Sequence, residues 1–474
     1  MRNTKLYSVL EYFDKKELSQ LKKYLESPYF NSNKDLITIF DLIVKNLNST
    51  KKDKPFEKIQ VWKSLQGNKP YDDVRFRKYM SDLLKLIESF LAQKVYEDTP
   101  LLQATTLLEA VEKKDLEKIY NSAMKSARRH SDKYIYRTAN YYYYQYQIEL
   151  NYYNLTDLEI KRTEVTNERE MLLNLDYFYL AEKLRVFCSI LSRQYLIESE
   201  AELMFYEEIV NYVKKNNFDH VPAISIYYQI YLTQTDSNNK QHYLKLKELL
   251  NEHYHLFPPA QAFEMYTPAV NFAIRMLNTG VPEGAAEVFQ TYKELLEKES
   301  IIKNIEFSPW HFRNAITAAL RLKEYDWTEN FIQEYRHYLP ESFRENAVTF
   351  NMALLYFYQK KYDKVIEKLR DIEFEDFTYN LNSKTMLIAT YYETDEIEPL
   401  YSLFDSFRAY LRRHRDLPVS RRVLYTNLIK FTKKLTKLTF RDTKGIQKLR
   451  EEVEATKNIA SRNWLLEKIA EMDW

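Results

Sequence analysis

Four glycines, Gly67, Gly280, Gly284 and Gly445, serve a chain of 474 residues. Average usage would supply several times as many. Sheet-rich folds draw on glycine for hairpins and bulges, so this scarcity points to long helices joined by short turns. The prolines agree. Pro28, Pro55, Pro70, Pro100, Pro222, Pro258, Pro259, Pro309, Pro340 and Pro418 fall between apolar-periodic runs, where helices start or stop. Pro268 and Pro399 lie close to expected helix starts or would kink a helix. The fold class expected is all-α.

With 45% hydrophobic and 29% charged residues, the chain can bury a large core and is not of the disordered type. A single cysteine, Cys188 in "LRVFCSIL", excludes intramolecular disulfides and Cys-rich metal sites and reads as a small buried hydrophobe. The opening "MRNTKLYSVLEYFDKK" lacks the roughly 7–15-residue apolar run of a signal peptide. Nowhere do about 18 apolar residues run together. A soluble, cytoplasmic protein without a membrane span is expected.

Residues 1–98 read as a compact helical N-terminal domain. Asp14 with Glu17 forms a capping-box pattern before Leu18, Leu21 and Leu25. Asn33 is placed as the N-cap of a helix carrying Leu36, Ile37, Phe40, Ile43 and Leu47, and Phe76, Met80, Leu83, Ile87 and Phe90 recur at helical spacing. Residues 99–174 continue as helical hairpins, residues 175–415 as paired helices, and residues 416–474 as capping helices. In the paired region, "PWHFRNAITAALRLKE" is followed by "YDWTENFIQEYRHYLP", and "RENAVTFNMALLYFYQKK" by "YDKVIEKLRDI". Aligning the second helices on Ile332, Leu369 and Leu403 gives spacings of 37 and 34 residues, which are helical-hairpin repeat periods. Tyr325 and Tyr362 at the turn, Ala285 and Phe289 in an earlier second helix, and Pro340 closing a unit carry a resemblance to tetratricopeptide-type repeats over roughly residues 175–415. The glycine and tryptophan usual in the first helix of that family are missing. The resemblance implies a right-handed α-solenoid of antiparallel helix pairs whose concave groove holds a protein or peptide. "YLESPYFN" and "RKYMSDLLKLIESFL" resemble segments of Tyr- and Lys-rich bacterial proteins of the Bacteroidota type, and that resemblance implies no activity.

The run "RTANYYYYQYQIELNYYN" cannot lie on one helical face, because four consecutive side chains span more than a turn. Two apolar arcs result. One holds Ile135, Ala139, Tyr142, Tyr143, Tyr146, Leu150 and Tyr153; the other holds Tyr134, Tyr141, Tyr144, Ile148 and Tyr152. A helix apolar on two opposite sides is packed between neighbours. An aromatic platform for single-stranded nucleic acid would need interleaved cations, and only Arg137 stands near.

Catalytic motifs are absent. There is no phosphate-binding glycine loop, no G-x-S-x-G elbow and no H-E-x-x-H. His253 and His255 point about 200° apart on a helix and cannot share an ion from one face. Neither catalytic residues, nor a metal, nor a cofactor is expected. An enzyme with a spatially assembled site stays open as a further alternative.

Charge is segregated near the C-terminus. Residues 361–400 hold five Lys/Arg against ten Asp/Glu, and residues 401–450 fourteen against three, in a chain whose net charge is +2. Arg408, Arg412 and Arg415 follow one helical stripe. Leu424, Leu428, Phe431, Leu435 and Leu438 form the expected buried seam of the next helix, opposite Lys430, Lys433, Lys434, Lys437 and Arg441. This basic face is either solvated or a docking surface for nucleic acid or an acidic protein. Arg75, Arg77 and Lys78, near a loosely helix-turn-helix-like turn at Gly67, offer a second such foothold, diluted by Asp72, Asp73 and Asp82. The function expected is a non-enzymatic helical-repeat scaffold for protein–protein interaction, with the basic face of Arg408, Arg412, Arg415, Lys430, Lys434 and Lys437 as an alternative, nucleic-acid-associated or regulatory, contact.

Overall fold

Asp14 and Glu17 open their helix by exchanging hydrogen bonds: the Glu17 amide donates to Asp14 Oδ1 (2.7 Å) and the Asp14 amide to Glu17 Oε2 (3.0 Å). Asn33 caps the next helix through its side-chain oxygen, which accepts from the Asp35 amide at 3.0 Å. These caps satisfy amides that a helix start leaves without intrahelical partners. The computed structural model describes residues 1–49, 56–156, 166–194, 203–236, 238–370, 377–414, 417–439 and 442–472. Among them the regular structure is helical throughout, with no strand. No helix among the described residues is long and apolar enough to cross a membrane.

The chain divides into two units, residues 1–135 with 139–179, and residues 136–138 with 180–474. In the first unit, Leu18, Leu21, Leu25, Leu36, Phe40, Ile43, Phe76, Leu83, Ile87 and Phe90 share one buried core. Tyr79 joins it and donates its hydroxyl to Asp35 at 2.8 Å.

A second core in the same unit answers the tyrosine run. Tyr134, Tyr141, Tyr144, Ile148 and Tyr152, one whole predicted arc, pack against Leu101, Leu108, Val111 and Ala127. On the other arc, Tyr142 is buried with its ring 5.5 Å from Tyr177, and Tyr143 lies 5.3 Å from Phe178. Ile135 departs from the expectation: it precedes helix Ala139–Leu155 and is exposed.

In the second unit most consecutive helices from Pro222–Thr235 onward pack on one another, and several also pack on the next but one: Pro222–Thr235 on Pro259–Asn278, Pro309–Arg321 on Glu341–Tyr358, and Glu341–Tyr358 on Phe377–Glu393. Two junctions recur. At the turns between Pro259–Asn278 and Gly284–Leu296, between Pro309–Arg321 and Tyr325–Tyr335, between Glu341–Tyr358 and Tyr362–Leu369, and between Phe377–Glu393 and Ile397–Arg413, one residue adopts left-handed backbone. These are Gly280, Lys323, Lys360 and Asp395, with φ between 56° and 79°. Each is closed by the same two bonds. The left-handed residue donates to the carbonyl three back (3.0–3.3 Å), and the residue after it to the carbonyl five back (2.9–3.0 Å), as in Glu324 to Ala319, Lys361 to Tyr356 and Glu396 to Tyr391. This double closure is the Schellman motif. Asp115 repeats it in the first unit, with φ 51°.

At the other junction a buried apolar residue precedes a proline that opens a helix: Val221–Pro222, Phe257–Pro258, Leu339–Pro340 and Leu417–Pro418, with Phe307 two residues ahead of Pro309. Pro222 and Pro309 are the first helical residues, where proline presets φ and loses no helical hydrogen bond, and Pro258, Pro340 and Pro418 are N-caps, whose amides need no intrahelical partner. The preceding apolar side chain anchors the entering chain in the core, as a hydrophobic staple does. Two of the four glycines also gain a reason. Gly280 takes the left-handed position, and at Gly284 an added Cβ would meet the Leu277 backbone at 2.5 Å.

Nine residues beyond each left-handed position lies a side chain that packs inward: Phe289, Ile332, Leu369 and Phe404, all buried. The repeat equivalence read from sequence therefore slips by one in its last member, where Phe404 and not Leu403 is the counterpart. At the C-terminal end, Lys468 lies 2.8 Å from both Glu393 and Glu471, and Trp464 Nε1 donates to Glu393 at 3.1 Å. Burial opposes the Lys468 charge, yet the hydrogen bonds to the two carboxylates outweigh it and raise its pKa.

Left-handed backbone costs a residue with a Cβ on the order of 1 kcal/mol that glycine avoids. Lys323→Gly and Lys360→Gly are therefore expected to stabilise the protein by up to about 1 kcal/mol each, read as a raised midpoint of thermal unfolding followed by circular dichroism. A lowered midpoint in both would contradict the turn geometry.

Candidate functional site

Three helices of the second unit, Pro309–Arg321, Glu341–Tyr358 and Phe377–Glu393, begin around one surface recess. Its volume is about 250 Å³, and Glu306, Ser308, Pro309, Trp310, Arg313, Pro340, Phe343, Thr378 and Tyr379 line it. The core register of the first helix sets this up. Phe312, Ala315 and Ile316 face inward, so Trp310 is carried outward, where it is 60% exposed. Phe343, 40% exposed, faces the same recess from the neighbouring helix.

Arg313 sits between these faces. Its guanidinium carbon lies 5.2 Å from the centre of the Phe350 ring, and Tyr379 packs on Phe350 at 5.5 Å. Burial lowers its pKa below the ordinary arginine value, and the groups that offset this are the Tyr379 and Tyr425 hydroxyls. Among the described residues no carboxylate lies within ion-pair distance of Arg313 and its guanidinium donates no hydrogen bond. Arg421 lies 5.9 Å from the ring centre of Phe377, and its charge and that of Arg313 both act on the Tyr425 hydroxyl. The arrangement can recognise an anion beside an apolar group.

The basic face read from sequence is only partly free. Lys430, Lys434 and Lys437 are exposed, while Leu428, Phe431 and Leu435 are buried beneath them. Lys434 pairs with Glu452, and Arg408 lies 3.6 Å from Asp405. Arg412, Lys430 and Lys437 are exposed and form no ion pair among the described residues. Arg415 and Arg441 lie outside the described residues. The N-terminal foothold is used internally: Arg75 Nε donates to the Tyr79 hydroxyl at 3.0 Å and Arg77 pairs with Asp73 at 2.6 Å, leaving Lys78 exposed.

Sequence reasoning passed over Arg313, although a signal was present. No acidic residue stands three or four positions away on its helix (Pro309, Trp310, Ile316 and Thr317 do), so no local partner was available. It also missed a shallow depression of about 660 Å³ in the first unit, where Lys125, Arg128 and Arg129 meet Tyr120 and Tyr152. These cations come from a different helix than the tyrosine run. Arg128 stacks 5.3 Å from the Tyr152 ring and lies 3.6 Å from Glu149, which uses its charge locally.

No group of three or more His, Cys, Asp or Glu among the described residues is placed to hold a metal. Cys188 is buried, contacts the Tyr227 carbonyl at 3.3 Å, and has its thiol pKa pushed up by desolvation, which keeps it protonated and unreactive. His311 shares a hydrogen bond with the Tyr292 hydroxyl (2.9 Å) and lies among the rings of Phe263, Phe307 and Tyr292. Burial lowers its pKa, so the folded protein holds it neutral. Its contribution is complete above the unfolded histidine pKa of about 6.5 and is lost as pH falls from there toward the lowered folded value. The thermal midpoint should therefore fall more steeply between pH 7.5 and 5.5, a range chosen to bracket about 6.5, in the parent than in His311→Gln. Equal slopes would show that His311 is not held neutral.

Comparison of the chain with protein-family models, with curated proteins and with solved structures returns no match.

Proposed function

We propose that the second unit is a helical-repeat platform, an α-solenoid of antiparallel pairs, that mediates protein–protein interaction without catalysis. The observation that carries this reading is the recurrence of both junctions. From 257 to 360, apolar–proline entries at 257–258, 307–309 and 339–340 alternate with left-handed closures at 280, 323 and 360; an entry at 221–222 precedes them, and a closure at 395 and an entry at 417–418 follow. Spacings of 37 and 35 residues from Lys323 to Lys360 to Asp395 are those of stacked helical hairpins. Successive pairs in such an array present their first helices side by side, which makes an extended surface for a peptide or helix. Exposed Trp310 and Phe343 belong to that row, and aromatic residues of this kind anchor protein interfaces. Residues 416–474 then serve as the capping end, held through Lys468.

Arg412, Lys430 and Lys437 favour a second contact, an anionic partner on the C-terminal basic face, whose attraction weakens as salt rises.

Placing a photo-cross-linking phenylalanine analogue at Phe343 in living cells of the source organism is expected to give a discrete adduct with another protein. The same residue at Tyr12, exposed in the first unit, is expected to give none. Adducts from neither position, or equal adducts from both, would contradict a platform built on the second unit.

A further inference from the structure

The recess around Arg313 holds more chemistry than a generic docking face. A guanidinium stays charged at any physiological pH, and removing it from water without a partner is unfavourable. Among the described residues the fold offsets this through the Phe350 ring and the dipoles of tyrosine hydroxyls. A carboxylate would meet it in a two-point, charge-assisted geometry that neither tyrosine can supply. Beside it, Trp310, Phe343, Pro309 and Pro340 form an apolar rim. At about 250 Å³ the recess is smaller than the roughly 300–1,000 Å³ sites that enclose small molecules and cofactors. It is sized for one or two side chains. Arg421, near Phe377, acts together with Arg313 on the Tyr425 hydroxyl, and Glu306 is the one carboxylate among the described residues that lines the recess.

We propose that this recess receives an acidic peptide segment of a partner protein, in which an aspartate or glutamate carboxylate pairs with Arg313 while an adjacent apolar side chain packs on Trp310 and Phe343. This rests on the platform reading and gives the partner its chemistry. Arg313 is then present for recognition and not for folding, so replacing it with an apolar side chain of similar reach relieves an uncompensated charge and leaves stability unchanged or improved.

The test is selection from a random-peptide library displayed on phage, against the full chain, followed by titration of the synthetic enriched peptide. Enriched sequences are expected to carry Asp or Glu beside an aromatic or aliphatic residue. Arg313→Met is expected to weaken binding about tenfold or more, the loss of a charge-assisted hydrogen bond, with a thermal midpoint no lower than the parent's. Trp310→Ala is expected to weaken it as well. Enriched peptides without an acidic residue, or with equal affinity for the parent and both variants, would overturn the recess assignment and leave the platform standing. A lowered midpoint in Arg313→Met with binding intact would place Arg313 in the fold and overturn it too. No enrichment over a blank surface would count against both the recess and the platform.

Discussion

The double hydrogen bond at each left-handed turn is the constraint on which the second unit depends. Two amides bonded back to carbonyls three and five residues earlier leave little freedom in the angle at which the next helix departs. Once that angle is set, Thr328, Val365 and Leu400, five residues past the turn, and Ile332, Leu369 and Phe404, nine past it, all meet the core. The packing of the second helices follows from the turn. Lysine and aspartate occupy three of these four turns, which explains how a protein made of tight turns can be so poor in glycine. Each such residue accepts some backbone strain, and the burial that the turn directs outweighs it: a fully buried Leu or Phe contributes roughly 1.5–3 kcal/mol.

Tyrosine does for the interior what the turns do for the path of the chain. Tyr243, Tyr266 and Tyr292 are fully buried rings whose hydroxyls each find a partner: Glu287 and Thr291, Asn251, and His311. The Tyr325 hydroxyl bonds the Tyr358 carbonyl at 3.2 Å, tying the start of one pair's second helix to the end of the next pair's first. Large rings filling the space between helices, with their polar ends satisfied, are consistent with 41 tyrosines serving mainly as structure. Against that background two of the exposed aromatic residues, Trp310 and Phe343, stand out because they flank a cation that meets no carboxylate among the described residues.

Much of this was legible in the sequence, for identifiable reasons. The capping box at Asp14 and Glu17, the N-cap at Asn33 and the leucine spacings depend on neighbours within one turn, and those are printed in order along the chain. The two-sided tyrosine helix followed from angular spacing alone. The repeat register slipped at Leu403 because an alignment on apolar residues cannot tell adjacent candidates apart, whereas the turn at Asp395 selects Phe404. Lys434 and Arg408 were grouped with free cations because Glu452 lies in a later helix and an exposed Asp405 gave no sign of being used. Arg313 escaped notice because its meaning comes from Phe350, Phe343 and Tyr379, which arrive from two other helices.

Amide hydrogen exchange resolved at Glu324, Lys361 and Glu396 reads the recurring turn closure itself. These amides sit in surface turns, where exchange would be fast unless each donates to the carbonyl five residues earlier. The account predicts that all three are protected together, to a degree close to that of the helices they join. Exchange at the rate of free peptide amides at these positions would contradict the recurring closure, and with it the proposed helical-repeat platform.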